Sequence, residues 1–135
     1  MMVTPLYAGL LALWLVILSA RVIQRRRGGI ALGDGGDPSM LRVIRAQANF
    51  SEYVPLALLM LGLLELSRFS IYVLHALGIT LLVARFLHGY ALSFTQAQKF
   101  GRVGGTALTL LVLVIEAVLC IYQAIQGHWI WCCAG

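Results

Sequence analysis

The stretch RAQANFSEYVPL, residues 45–56, places Arg45, Gln47, Asn49, Glu52 and Tyr53 at the mouth of an apolar run. On a helix turning about 100° per residue, Arg45, Asn49 and Glu52 fall within roughly 60° of one another, Tyr53 borders them, and Gln47 points nearly opposite. Two readings of this polar stripe follow. In the first, Arg45 and Glu52 neutralise each other with Asn49 between them, a network that only glues helices together inside a membrane. In the second, the stripe is one wall of a site, because Arg25 or Arg26, Arg85, Tyr90 and Arg102 should end or begin other helices at the same depth. One carboxylate cannot neutralise so many guanidinium groups. Their surplus calls for an anionic guest with carboxylate or phosphate oxygens, either a small molecule or a lipid headgroup.

The elements that must carry these residues are dictated by composition. Of the 135 residues 61% are hydrophobic and 11% charged, which places the chain among membrane proteins and implies one domain over residues 1–135. Val3 to Ala20 contains no charge, and an anchor with its N-terminus outside fits better than a cleaved signal peptide, since no basic segment precedes it. Four spans are expected, at about 3–25, 40–66, 69–92 and 102–125. The second is the informative one. Its uncharged part, Tyr53 to Leu64, has 12 residues. At about 1.5 Å per residue it covers roughly 18 Å of a hydrocarbon core about 30 Å thick. To cross, this helix must start near Ser39 or Leu41 and carry the polar stripe to the membrane boundary, where such groups face protein, water or a ligand.

The net charge of +5 would suit nucleic acid if the basic groups formed one solvated face. Instead Arg21, Arg25, Arg26, Arg27, Arg42 and Arg45 surround the first loop, while Arg85, Lys99 and Arg102 surround the third. By the positive-inside rule those loops are cytoplasmic and both termini lie on the non-cytoplasmic side. The charge then reports topology, and no nucleic-acid partner is expected. In the first loop Asp37 and Pro38 read as the N-cap and first residue of the second helix, and the glycines lack the Gly-Lys-Ser/Thr ending of a phosphate loop.

Cys120, Cys132 and Cys133, with His75, His88 and His128, show no metal-ligand spacing, so no metal is expected. His88 reads as a packed helix residue and Glu116 as a carboxyl hydrogen-bonded to a neighbouring helix. The C-terminal HWIWCC reads as an interfacial aromatic belt.

RVIRAQANFSEYVPL, residues 42–56 with their neighbours, closely resembles the second-helix signature of the MAPEG family, the membrane-associated proteins in eicosanoid and glutathione metabolism. ARFLHGYALS in the third span is similar to that family's Arg and Gly-Tyr segment. The resemblance covers essentially the whole chain and is nearest to the small prokaryotic members. It implies an all-α membrane protein, a four-transmembrane-helix bundle assembled as a homotrimer, and for a prokaryotic source the bacterial inner membrane. It further implies glutathione as co-substrate, bound at a cytoplasmic-side intersubunit site by Arg45, Asn49, Glu52 and Tyr53, with Gln47 from the neighbouring side and Arg85, Tyr90 and Arg26 joining them. Arg25 and Arg27 compete with Arg26 for that place. The thiolate-stabilising catalytic arginine of the family corresponds to Arg102, with Lys99 as a competitor. The activity so implied is a glutathione-dependent transferase or peroxidase acting on lipophilic electrophiles that enter from the lipid. The alternative is a non-catalytic lipid-binding or scaffold protein of the same fold.

Overall fold

The glycine-rich first loop ends in a strong helix start. The Asp37 carboxylate accepts from the Ser39 backbone N–H at 2.8 Å and from the Ser39 hydroxyl at 2.7 Å, and Pro38, which has no N–H to leave unsatisfied, follows at the first helical position. The helix that begins there runs Pro38–Leu66, so its 29 residues supply the length that the uncharged segment lacks. In the computed structural model, which describes the backbone of residues 2–30, 32–95 and 99–133 and side chains as far as Gln126, four helices follow one another. They are α1 (Thr4–Arg26), α2 (Pro38–Leu66), α3 (Ile71–Ser93) and α4 (Lys99–Cys133). All four are long and apolar enough to cross a membrane. The last starts three residues before the expected 102 and continues past 125, since nothing from Lys99 to Cys133 includes a proline to stop it. His128, Cys132 and Cys133 lie outside the described side chains.

Helices α2 and α3 form the middle of the bundle. Each touches α1 on one side and α4 on the other, while among the described residues α1 and α4 do not meet. Leu11 and Leu18 of α1, Leu61 of α2, Leu81 of α3 and Val112 of α4 share one buried cluster. The outer surface is apolar as well. Leu13, Leu59, Val103, Val114 and Val118 are all more than half exposed, an arrangement that suits a lipid surrounding or a further chain and not water.

Glycine lets the helices approach closely where the polar residues sit. A Cβ on Gly105 would lie 2.6 Å from the Ala84 carbonyl oxygen and 2.9 Å from the His88 nitrogen, so α4 rests with its backbone against α3. At the opposite end, α1 lacks a side-chain cap from its own N-cap residue, Val3. Glu65, at the far end of α2, supplies one. Its carboxylate accepts from the backbone N–H of Val3 and, at 2.9 Å, of Thr4.

Candidate functional site

Because α2 and α4 both begin at the end of the bundle that carries the first and third loops, their first turns stand side by side there, with the end of α3 behind them. Between them lies a cleft of about 600 Å³. Arg42, Arg45 and Asn49 of α2, His88 of α3, and Arg102 and Thr106 of α4 supply its polar wall. Leu41, Leu92, Val103, Ala107 and Leu110 supply the apolar remainder, and no carboxylate is among the lining residues. Gly105 decides this geometry. Because it brings α4 onto α3, Arg102 and Thr106 flank the same opening as His88.

The side-chain amide of Asn49 donates to the Arg45 carbonyl 3.1 Å away, one turn back on its own helix. It does not bridge Arg45 to Glu52. Glu52 is exposed, and among the described residues it has no ion-pair partner, so the neutralising network is absent and the cleft guanidinium groups keep their charge uncompensated. Arg45 and Arg102 are both exposed.

Arg85 behaves differently. It is only 1% exposed, and its guanidinium lies between α2 and α4. Nη1 donates to the Asn49 carbonyl at 3.4 Å and Nη2 to the Gly105 carbonyl at 3.2 Å, while the guanidinium carbon stands 5.8 Å from the centre of the Tyr53 ring. Backbone carbonyls thus hold both Nη groups and an aromatic face borders the charge, while Nε is buried without a hydrogen-bond partner among the described residues, so the side chain braces the rear of the cleft. Its own carbonyl accepts from Trp14 Nε1 at 3.2 Å, tying the brace to α1.

Of the residues singled out in the sequence, the single chain brings Arg45, Asn49 and Arg102 together at the cleft, with Arg85 and Tyr53 behind. The others stand elsewhere. Gln47 turns to α1, its amide 3.4 Å from the Ser19 hydroxyl oxygen. Tyr90 lies on the outer face of α3, stacked between Phe86 at 6.1 Å and Phe94 at 5.4 Å. Arg26 occupies the last turn of α1 and, like Glu52, does not line the cleft. Lys99 is exposed and does not line it either.

Arg42, His88 and Thr106 are polar cleft residues that sequence reasoning did not assign to a site, although His88, read as a packed helix residue, is indeed buried. The signal was present, since Arg42 precedes Arg45 by three positions and His88 follows Arg85 by three, the spacing of side chains on one helical face. Glu116 differs from expectation too. It is fully buried on α4, and among the described residues neither carboxyl oxygen has a hydrogen-bond partner. One turn along, the thiol of Cys120, not the carboxyl, approaches the α2 backbone, 3.7 Å from the Met60 carbonyl.

The chain that carries this cleft is similar to known sequences. The sequence profile of the MAPEG family matches residues 4–122. The chain belongs to the MAPEG family. Two curated relatives of this MAPEG protein are the inner membrane protein YecN of Escherichia coli strain K12 and its counterpart in Escherichia coli O6:H1. Each is 37% identical over 90 residues, covering 66% of this chain and 69% of the relative. With the family match and the four apolar helices, the chain is an integral, multi-pass membrane protein.

Proposed function

We propose that this MAPEG protein is a glutathione-dependent membrane transferase or peroxidase whose cleft between α2 and α4 holds the tripeptide. The single observation that carries this reading is the set of three cleft arginines, Arg42, Arg45 and Arg102, with no carboxylate beside them. Glutathione brings two carboxylates, each able to accept two parallel N–H bonds from one guanidinium. Its thiol, placed near the remaining guanidinium, loses its proton more readily because the positive charge stabilises the thiolate, which is the nucleophile. Arg102 fills that last role. It opens α4 beside apolar Val103 and Ala107, where a lipophilic electrophile can meet the sulfur. The sulfur then forms a new bond to the electrophilic carbon as the leaving group departs with its electron pair.

Glu52 is exposed three residues beyond Asn49 on α2, so it suits the ammonium of a tripeptide that reaches out of the cleft. In this reading a second copy of the chain, bringing Gln47, Tyr90 or Arg26, closes the site in a homotrimer. The protein sits in the inner membrane, as its relatives' names say of them, with the arginine end in the cytoplasm and both termini on the other side.

The test is titration of purified protein with glutathione, followed by conjugation to a chlorodinitrobenzene. At ten times its dissociation constant, glutathione should stabilise the fold by about 1.4 kcal/mol. Arg45→Ala should weaken that effect. Arg102→Ala should abolish thiolate absorbance and turnover while much of the binding stays. The mostly aliphatic wall of the cleft favours one alternative, a non-catalytic carrier or scaffold for an anionic lipid. It predicts no shift with glutathione and a clear one with a fatty acid.

A further inference from the structure

A second, separate surface lies on the other side of α3. An apolar groove of about 450 Å³ runs between α1 and α3, lined by Leu10, Leu13, Trp14, Ile17, Val83 and Phe86 among others. Ile17 also lines a concavity of about 600 Å³ at the arginine end, whose further walls include Arg21, Gln24, Arg27 and Phe94. The two hollows therefore adjoin one another along α1. Aromatic rings floor the passage between them: Trp14 stands 4.5 Å from Phe86 and 6.3 Å from Phe94, ring centre to ring centre. From Leu10 to Arg27 the surface extends about 26 Å along α1, close to the depth of one leaflet with its headgroup zone.

The charge at the upper end has no counterpart within the chain. No carboxylate lines the concavity. Arg21 is held in one orientation: it donates to the Ser93 carbonyl at 2.9 Å and to Gln24 Oε1 at 3.1 Å, with its guanidinium carbon 4.5 Å from the centre of the Phe94 ring. Its Nε is buried without a hydrogen-bond partner among the described residues. The side chain of Arg27 likewise has none among them. A fixed guanidinium with no carboxylate beside it, a second arginine near it and a chain-length apolar furrow below fit one molecule.

We propose that the groove between α1 and α3 is a specific site for an anionic phospholipid, its phosphate on Arg21 and Arg27 and one acyl chain along Trp14, Ile17 and Phe86. A lipid molecule satisfies both halves at once, because the furrow needs apolar contact and the arginines need phosphate oxygens. A zwitterionic lipid fills the furrow equally but brings its own cation to the arginines. Soluble phosphate answers the arginines and leaves the furrow open.

The experiment measures binding to delipidated protein in detergent, by native mass spectrometry or thermal shift. The probes are dioleoyl phosphatidylglycerol, dioleoyl phosphatidylcholine and glycerol 1-phosphate. Phosphatidylglycerol should bind at least fivefold more tightly than phosphatidylcholine, and the preference should shrink as salt rises. The double substitution Arg21→Gln, Arg27→Gln should reduce the preference below twofold. Val83→Trp, which fills the furrow from an exposed position, should weaken both lipids. Glutathione titration of Arg21→Gln alone and of Val83→Trp should be unchanged, which separates this site from the cleft. Equal binding of the two lipids, or a preference that survives the double substitution, overturns the proposal. So does glycerol 1-phosphate binding as tightly as the lipid. Disulfide cross-linking between copies through cysteines placed at Leu13 and Val83 overturns it as well, by showing that a second chain covers the groove.

Discussion

The two ends of the bundle use polar residues in opposite ways. At the end where α2 stops, several such groups serve the fold itself. Glu65 caps the start of α1 by accepting from Val3 and Thr4, and the Tyr7 hydroxyl stands 2.9 Å from His75 Nδ1 and 3.3 Å from the His75 carbonyl oxygen. At the end where α2 starts, Arg42, Arg45 and Arg102 border a cleft without a carboxylate, and only Arg85 behind them is consumed by carbonyl groups. The contrast separates architecture from recognition. A polar group that the fold satisfies holds helices in place, whereas one that the fold leaves charged and accessible awaits a partner.

Several substitutions test that contrast. The largest effect should come from Gly105→Leu, because the added side chain meets the α3 backbone, which cannot move aside. The bundle should lose about 3 kcal/mol or more, seen as a collapse of the thermal midpoint in detergent, and the cleft should disappear with it. Arg85→Ala should follow at about 2–4 kcal/mol, since it empties a buried volume and unlinks α2 from α4. Arg102→Ala should leave stability within about 0.5 kcal/mol of the parent protein yet reduce turnover at least tenfold. If instead Arg85→Ala were harmless and Arg102→Ala unfolded the protein, the division between brace and site would be wrong.

Glu65→Ala should cost about 1–2 kcal/mol by removing the α1 cap, with glutathione binding untouched, because the change lies at the other end of α2. The smallest effect concerns Asp37. Hydrogen bonds first from the Ser39 hydroxyl and then from the Ser39 backbone hold its carboxyl below the ordinary carboxylate range. A group whose folded value is depressed stabilises the fold above its unfolded value, and that contribution fades as pH falls through the folded value. Thermal midpoints of Asp37→Asn and the parent protein should therefore differ above the ordinary range of an aspartate and converge under more acidic conditions. A constant offset at all pH values would remove Asp37 as the source.

Much of the architecture was legible. The charge-free runs and the deficit of Tyr53 to Leu64 forced a long second helix, and Asp37 with Pro38 marked its first turn. Arg45, Asn49 and Arg102 were legible as one group because they lie in the first halves of two helices, α2 and α4, that begin at the same end of the bundle. The partners of those residues were not. Glu52 lies two turns from Arg45 on one helix, close in angle but far along the axis, so angular proximity alone suggested a neutral pair that does not form. Tyr90 and Arg85 are five residues apart on α3 and reach different faces, the first outward to Phe86 and Phe94, the second inward to Asn49 and Gly105.

What the amino-acid order determined by itself is the set of crossings, because a backbone in hydrocarbon must close its hydrogen bonds within each helix, and helix length then follows from the spacing of charges and caps. Which arginine is a brace and which faces an open cleft was decided only by tertiary packing. That choice depends on how closely two helices approach, and at Gly105 the missing side chain brings α3 and α4 together, enclosing one guanidinium and leaving another at the opening.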